Sequence, residues 1–207
     1  MQARTIGQFG SLYSGLLGRL EEAAAFFRRA ADMCAASSDT AAEGTHRNNL
    51  AITLRELRHL DDARQEIFRS IDCKALLGHA SEPWKTWCIL ADIETDAGKP
   101  AAAAEAKRKA IACYLAYRRD GGENHDDAGR ISLAVTQSLL AGAPAQAESL
   151  LQQQLPRFEA AGFDGFIHAL QAIVAGRRDR TLADAPDLDF GMAAEILFLL
   201  ETLEKPR

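Results

Sequence analysis

The first question is which side chains of this chain stand close enough to act together. Five histidines are available, His46, His59, His79, His125 and His168, and no two are neighbours in sequence. Cys34, Cys73, Cys88 and Cys113 form no C-x-x-C pair, so a zinc or redox motif has no local support. The densest oxygen-rich segment holds Glu123, His125, Asp126 and Asp127. Its spacing matches no calcium loop. After Gly121-Gly122 it reads as a helix stop, a turn and a capped restart. No nucleophile elbow accompanies any serine, and the Gly7-x-x-Gly10 spacing precedes no strand that could make it a phosphate loop. The expectation is therefore no catalytic residue, no metal, no cofactor and no enzymatic activity.

Recognition chemistry is better represented. The stretch Thr45-His46-Arg47-Asn48-Asn49-Leu50-Ala51 places two asparagines inside a helical pattern that disfavours them. An asparagine amide donates and accepts at once, which suits the backbone of an extended peptide. Arg55 can grip a ligand carboxylate, or pair with Asp61 or Asp62 close by. Trp84 and Trp87 stand one turn apart and serve either packing or the anchoring of a partner.

These residues need a frame, and the chain writes one repeatedly. GRLEEAAAFFRRA at 18–30 returns as RHLDDARQEIFRS at 58–70, GKPAAAAEAKRKA at 98–110 and GAPAQAESLLQQQ at 142–154. Aligned on Ala23, Ala63, Ala103 and Ala147, each copy has a turn former five residues earlier: Gly18, Arg58, Gly98 and Gly142. Glycine there permits the left-handed conformation that ends a helix. A short turn then sends the next helix back antiparallel. Each unit is thus a helical hairpin that must stack on a neighbour to bury its apolar stripe. The spacing predicts helix pairs over 4–17 and 20–36, 41–57 and 60–77, 82–97 and 100–119, and 125–141 and 144–160. A degenerate fifth pair follows over 163–175 and 187–204. Period-two β-branched runs are missing, so the expected class is all-α, with one continuous array over 1–207.

These units resemble the tetratricopeptide repeat family. Leu50-Ala51, Leu54, Ala63, Ile67-Phe68 and Ser70 carry the pattern in the second unit. Trp87, Leu90-Ala91, Gly98, Ala103 and Ala110 carry it in the third, and Gly18, Ala23, Phe27 and Ala30 in the first. The family repeat is 34 residues, whereas this period is 40 to 44. That length is similar to the long variety of kinesin light chains, bacterial ATPase-regulator tails and peptide-sensing regulators; HEAT-type arrays share it. The resemblance implies a right-handed α–α superhelix of four to five hairpins, lined inside by the first helix of each unit. It implies a protein- or peptide-binding scaffold in which Asn48 and Asn49 hold a bound backbone. The same face would carry Leu12, Ile52, Arg55, Lys85, Asp92, Asp96 and Thr136, of which Asn48, Asn49, Ile52, Arg55, Asp92 and Thr136 form the expected partner-binding set.

Composition narrows the partners. The net charge of −5 and the absence of a long Lys/Arg cluster exclude a nucleic-acid stripe. The longest apolar run, 190–200, is about half of what spans a bilayer, so no membrane partner is expected. The N-terminus lacks signal-peptide order, and the cysteines read as buried, reduced thiols; a cytoplasmic setting follows. The final helix carries Phe190, Ile196, Leu197, Phe198, Leu199 and Leu200. It is expected to cap the array, or to join two copies as a homodimer.

Overall fold

In a computed structural model, residues 2–75 and 77–205 are described, and among them there are helices and no strand. The ten α-helices are α1 (Gln2–Gly15), α2 (Leu20–Ala36), α3 (Thr40–Glu56), α4 (Leu60–Lys74), α5 (Pro83–Asp96), α6 (Pro100–Arg119), α7 (Asp127–Leu140), α8 (Pro144–Ala161), α9 (Asp164–Val174) and α10 (Phe190–Glu204). Short 3-10 helices precede α5 and α10, at Gly78–Ser81 and Arg180–Asp184. Each helix lies where the repeat spacing places one.

Punctuation explains the boundaries. Gly18, Gly98 and Gly142 turn with φ of +62°, +68° and +72°. Arg58 takes the same role at +64°, a conformation that a side chain disfavours. Pro83 and Pro144 open α5 and α8 in the first turn, where the missing N–H costs nothing. Asp39, Asp126 and Asp189 cap α3, α7 and α10 by accepting from the N–H of Ala42, Gly129 and Met192. The GGENHDD segment is therefore a stop and a capped start. Asp187 reaches back to the N–H of Gly165 in the first turn of α9.

Where the repeats lead one to expect a single array, the packing divides the chain into two compact units, 1–110 and 111–207, with the division falling inside α6. In the first unit each helix packs on its sequence neighbour from α1 through α5, and α3 also lies beside α1 and α5. The core joins Ala23, Phe27, Leu50, Leu54, Ala63, Ile67, Leu90, Ile93 and Ala106. The phrase alanines Ala23, Ala63 and Ala147 are fully buried; Ala103 is half-buried, and Ala106 and Ala110 do the packing in its helix.

In the second unit α7 packs on α8 and α8 on α9. α10 packs on α7 and α9, and its Phe190 meets Tyr114 of α6 edge-on at 5.8 Å. Met192, Ala193, Ala194, Ile196, Leu199 and Leu200 are buried there, and Leu197 and Leu203 pack against the same core. A helix that is apolar nearly all round belongs in an interior. The apolar face expected to cap the array or to join two copies is thus covered by the chain's own helices. The one charge on its buried side is Glu195, which accepts from Arg118 and, at 3.0 Å, from Asn124 Nδ2.

Candidate functional site

The site begins with α3. Gly44 lets α4 approach: a Cβ there would stand 3.1 Å from both Cys73 Cβ and Lys74 Cγ. Ser70 Oγ donates to the Gly44 carbonyl at 2.7 Å and lies 3.4 Å from Asn48 Oδ1. One turn on, Arg47 is buried and donates to Glu43 and Glu66, both at 2.7 Å. Arg47 therefore faces inward and ties α3 to α4, while Asn48 and Asn49 stand half-buried beside it.

Following the 40-residue period across α1, α3 and α5 shows what their open side presents. Phe9, Asn49 and Ile89 are equivalent, as are Leu12, Ile52 and Asp92, and Leu16, Glu56 and Asp96. All nine are exposed or half-buried. The chemistry grades from apolar on α1, through amide and isoleucine on α3, to carboxylate on α5. Leu16 is 79% exposed. Exposed large apolar side chains recurring at this spacing mark a candidate contact surface.

Arg55 pairs with neither Asp61 nor Asp62. Its Nε donates to Asp96 Oδ2 at 2.5 Å and its Nη1 to Asp92 Oδ2 at 2.9 Å. The Arg55 bond holds the Asp96 carboxyl below its usual range. Two residues expected to select a ligand thus bind each other across the α3–α5 seam. The Asn49 amide makes no hydrogen bond among the described residues; only its carbonyl is used, by Thr53 Oγ1 at 2.9 Å. Ile52 is half-buried on the same seam. Thr136 lies in the second unit, where its hydroxyl donates to the Ser132 carbonyl at 2.7 Å. Trp84 is buried, and Trp87 packs against the core beneath Lys109 Nζ, 4.5 Å from its ring centre.

At the α3 N-terminal end of this seam a cleft of about 460 Å³ opens, lined by Thr45, Asn48, Lys74, Ser81, Glu82 and Lys85 among others. Lys85 is bound to Glu82 at 2.6 Å. Lys74 Nζ donates to the buried Thr86 hydroxyl at 3.1 Å. Burial pulls the Lys74 ammonium below its ordinary pKa, with the Glu82 carboxylate opposing. Sequence reading placed Lys85 on this face and missed Lys74. Its only signal was a glycine in the facing helix, which is informative only once α3 and α4 are paired.

Among the described residues no group of three or more His, Cys, Asp or Glu side chains is arranged to hold a metal. His125 and Glu123 approach to 3.3 Å, both on the surface. No described helix is long and apolar enough to cross a membrane. No family model matches the chain, and a search of curated proteins returns no match.

Proposed function

We propose that the chain is a protein- or peptide-binding module that takes its partner along the α1–α3–α5 face of the first unit. The carrying observation is that Phe9 and Leu12 on α1 and Leu16 in the turn after it are exposed, at positions equivalent to Asn49, Ile52 and Glu56 of α3. Apolar side chains beside an uncommitted amide suit a peptide, which brings both side chains to bury and a backbone to satisfy. The tetratricopeptide-like superhelix, continued beyond these hairpins, and a cytoplasmic setting belong to this proposal. The sequential packing of α1 to α5 supports the first, and four cysteines that form no disulfide support the second.

Affinity capture with the wild type and with the Asn48→Ala/Asn49→Ala double variant tests the reading, with thermal melts run in parallel. A partner enriched by the wild type and lost by an equally stable variant is expected. Identical recovery by both proteins removes the asparagines from the site.

A second reading, a self-associating scaffold, draws on the same α1 row rather than on α10, because Leu16 and Leu17 protrude at the α1–α2 turn. Light scattering separates the two. A monomer at tens of micromolar, converted to no larger species, counts against self-association.

A further inference from the structure

The cleft beside Asn48 has a charge balance that its own residues leave open. Glu82 is taken by Lys85 at 2.6 Å. Lys74 has no carboxylate within ion-pair distance among the described residues, and its one acceptor is the Thr86 hydroxyl. An ammonium carries three donors, so two of those on Lys74, which lines the cleft, have no acceptor among the described residues. Its stem runs over Gly44 and is fixed there by close packing. A half-buried cation with a single neutral acceptor is costly unless something pairs with it.

From these observations we infer that the cleft is a binding site for one carboxylate group, held between Lys74 and Lys85 with the Asn48 amide as a further partner. The inference rests on the partner-binding reading and names part of the partner's chemistry: an acidic side chain in the bound segment, or a free small carboxylic acid of the same charge. A single carboxylate fits better than a phosphate dianion, because Lys74, Lys85 and Glu82 together leave one uncompensated positive charge. The Asn48 oxygen leans toward Ser70, which leaves its NH₂ as a donor for the same oxygens.

The test uses the full chain labelled with carbon-13 at the lysine ε position, with the Lys74 and Lys85 signals assigned from Lys74→Met and Lys85→Met. Two probes carry one carboxylate each: N-acetylglutamate α-amide, and a blocked pentapeptide of four alanines around one glutamate. Their glutamine counterparts are the controls. Saturable shifts of both lysine signals with the glutamate probes and not with the controls are expected. Read on the Lys85 signal, Lys74→Met should weaken binding about tenfold, the scale of one lost charged hydrogen bond. Equal saturation by both probes marks a free carboxylate as sufficient, and saturation by the pentapeptide alone marks the segment; either supports the site. Unmoved Lys74 and Lys85 signals, or equal movement by the glutamine controls, overturn it. That failure is distinct from failure of the partner-binding reading, which turns on capture by the asparagine variant.

Discussion

Arg47 of α3 and Glu66 of α4 form an ion pair at 2.7 Å in the interior of the first unit, with 7% and 8% of their surfaces exposed. Glu43 completes the arrangement from the preceding turn of α3. Arg47 adjoins Asn48 in sequence, and both reach α4, Arg47 through Glu66 and Asn48 through the Ser70 hydroxyl, so one helix turn carries a structural clamp beside a residue of the proposed binding face. Removing one member of a buried pair leaves the other charge unpaired, which costs about 3–5 kcal/mol. Arg47→Met leaves Glu43 without its arginine and Glu66 with only the exposed Arg69, at 3.0 Å, and should destabilise by about 3 kcal/mol. Glu43→Gln, which leaves Arg47 and Glu66 together, should cost about 1 kcal/mol. Urea denaturation of the two variants checks the order, and equal losses would show that the clamp does not hold α3 on α4.

The second unit has a comparable device. Glu195 is 1% exposed, and its Oε1 takes donors from Arg118 and Asn124 while Oε2 has no partner among the described residues. Burial raises the Glu195 pKa, and the Arg118 guanidinium opposes that rise. A raised folded pKa contributes stability that is present below the unfolded value and lost as pH climbs through the folded one. Arg118→Met removes the opposing charge and should cost about 3 kcal/mol at pH 7. The deficit should narrow as pH falls toward 5, because Glu195 can then fold protonated. Chemical denaturation of wild type and variant at the two pH values provides the comparison; a deficit that does not change with pH would place Glu195 in contact with water.

His46 sets a pH dependence of the opposite sign. Its ring lies over α1, where a Cβ on Gly7 would meet the imidazole Cε1 at 2.2 Å, and its buried Nδ1 has no partner among the described residues. Burial lowers its pKa, with Asp39 acting weakly in the other direction. The unfolded chain then binds a proton more readily than the folded one. Stability is therefore complete above the ordinary histidine pKa of about 6.5 and falls as pH drops from there toward the folded value. The melting temperature of His46→Gln should fall less steeply than that of the wild type between pH 7 and pH 5, so that the wild-type-minus-variant difference shrinks as pH drops. An unchanged slope would assign the acid sensitivity to another group.

Much of the helical layout was legible because it is written locally. Gly18, Gly98 and Gly142, the prolines at 83 and 144, and the caps Asp126 and Asp189 act within a turn of where they stand. The place of α10 was not legible. Its continuous apolar surface fits a cap, a dimer seam or an interior helix equally, and only the return of the chain onto α7 and α9 decides among them. The Arg55 partners were missed for a related reason. Asp61 and Asp62 are near in sequence, whereas Asp92 and Asp96 are near only after α5 lies beside α3. Lys74 escaped notice because its cleft is assembled from three segments, none informative alone.

The α1–α2 approach offers a paired test of the frame under the proposed binding face. Gly10 is buried, and a Cβ there would stand 2.7 Å from the ring of Phe27, whose side chain is fixed in the core. Gly10→Ala gains about 1 kcal/mol of helix propensity but forces the ring or the helix to move, at a cost of about 1–3 kcal/mol. The net effect should be a loss. Gly15 ends the same helix, and a Cβ there meets nothing within 4 Å, so Gly15→Ala should be neutral or stabilising by up to about 1 kcal/mol. Melting temperatures that move in opposite directions are expected. The Gly10 variant should also shift Phe9 and Leu12, its neighbours on α1, and so weaken partner capture more than its stability loss alone explains. Equal and favourable shifts from both alanines would mean that α1 does not lie against Phe27, and the apolar row would lose its place beside Asn49.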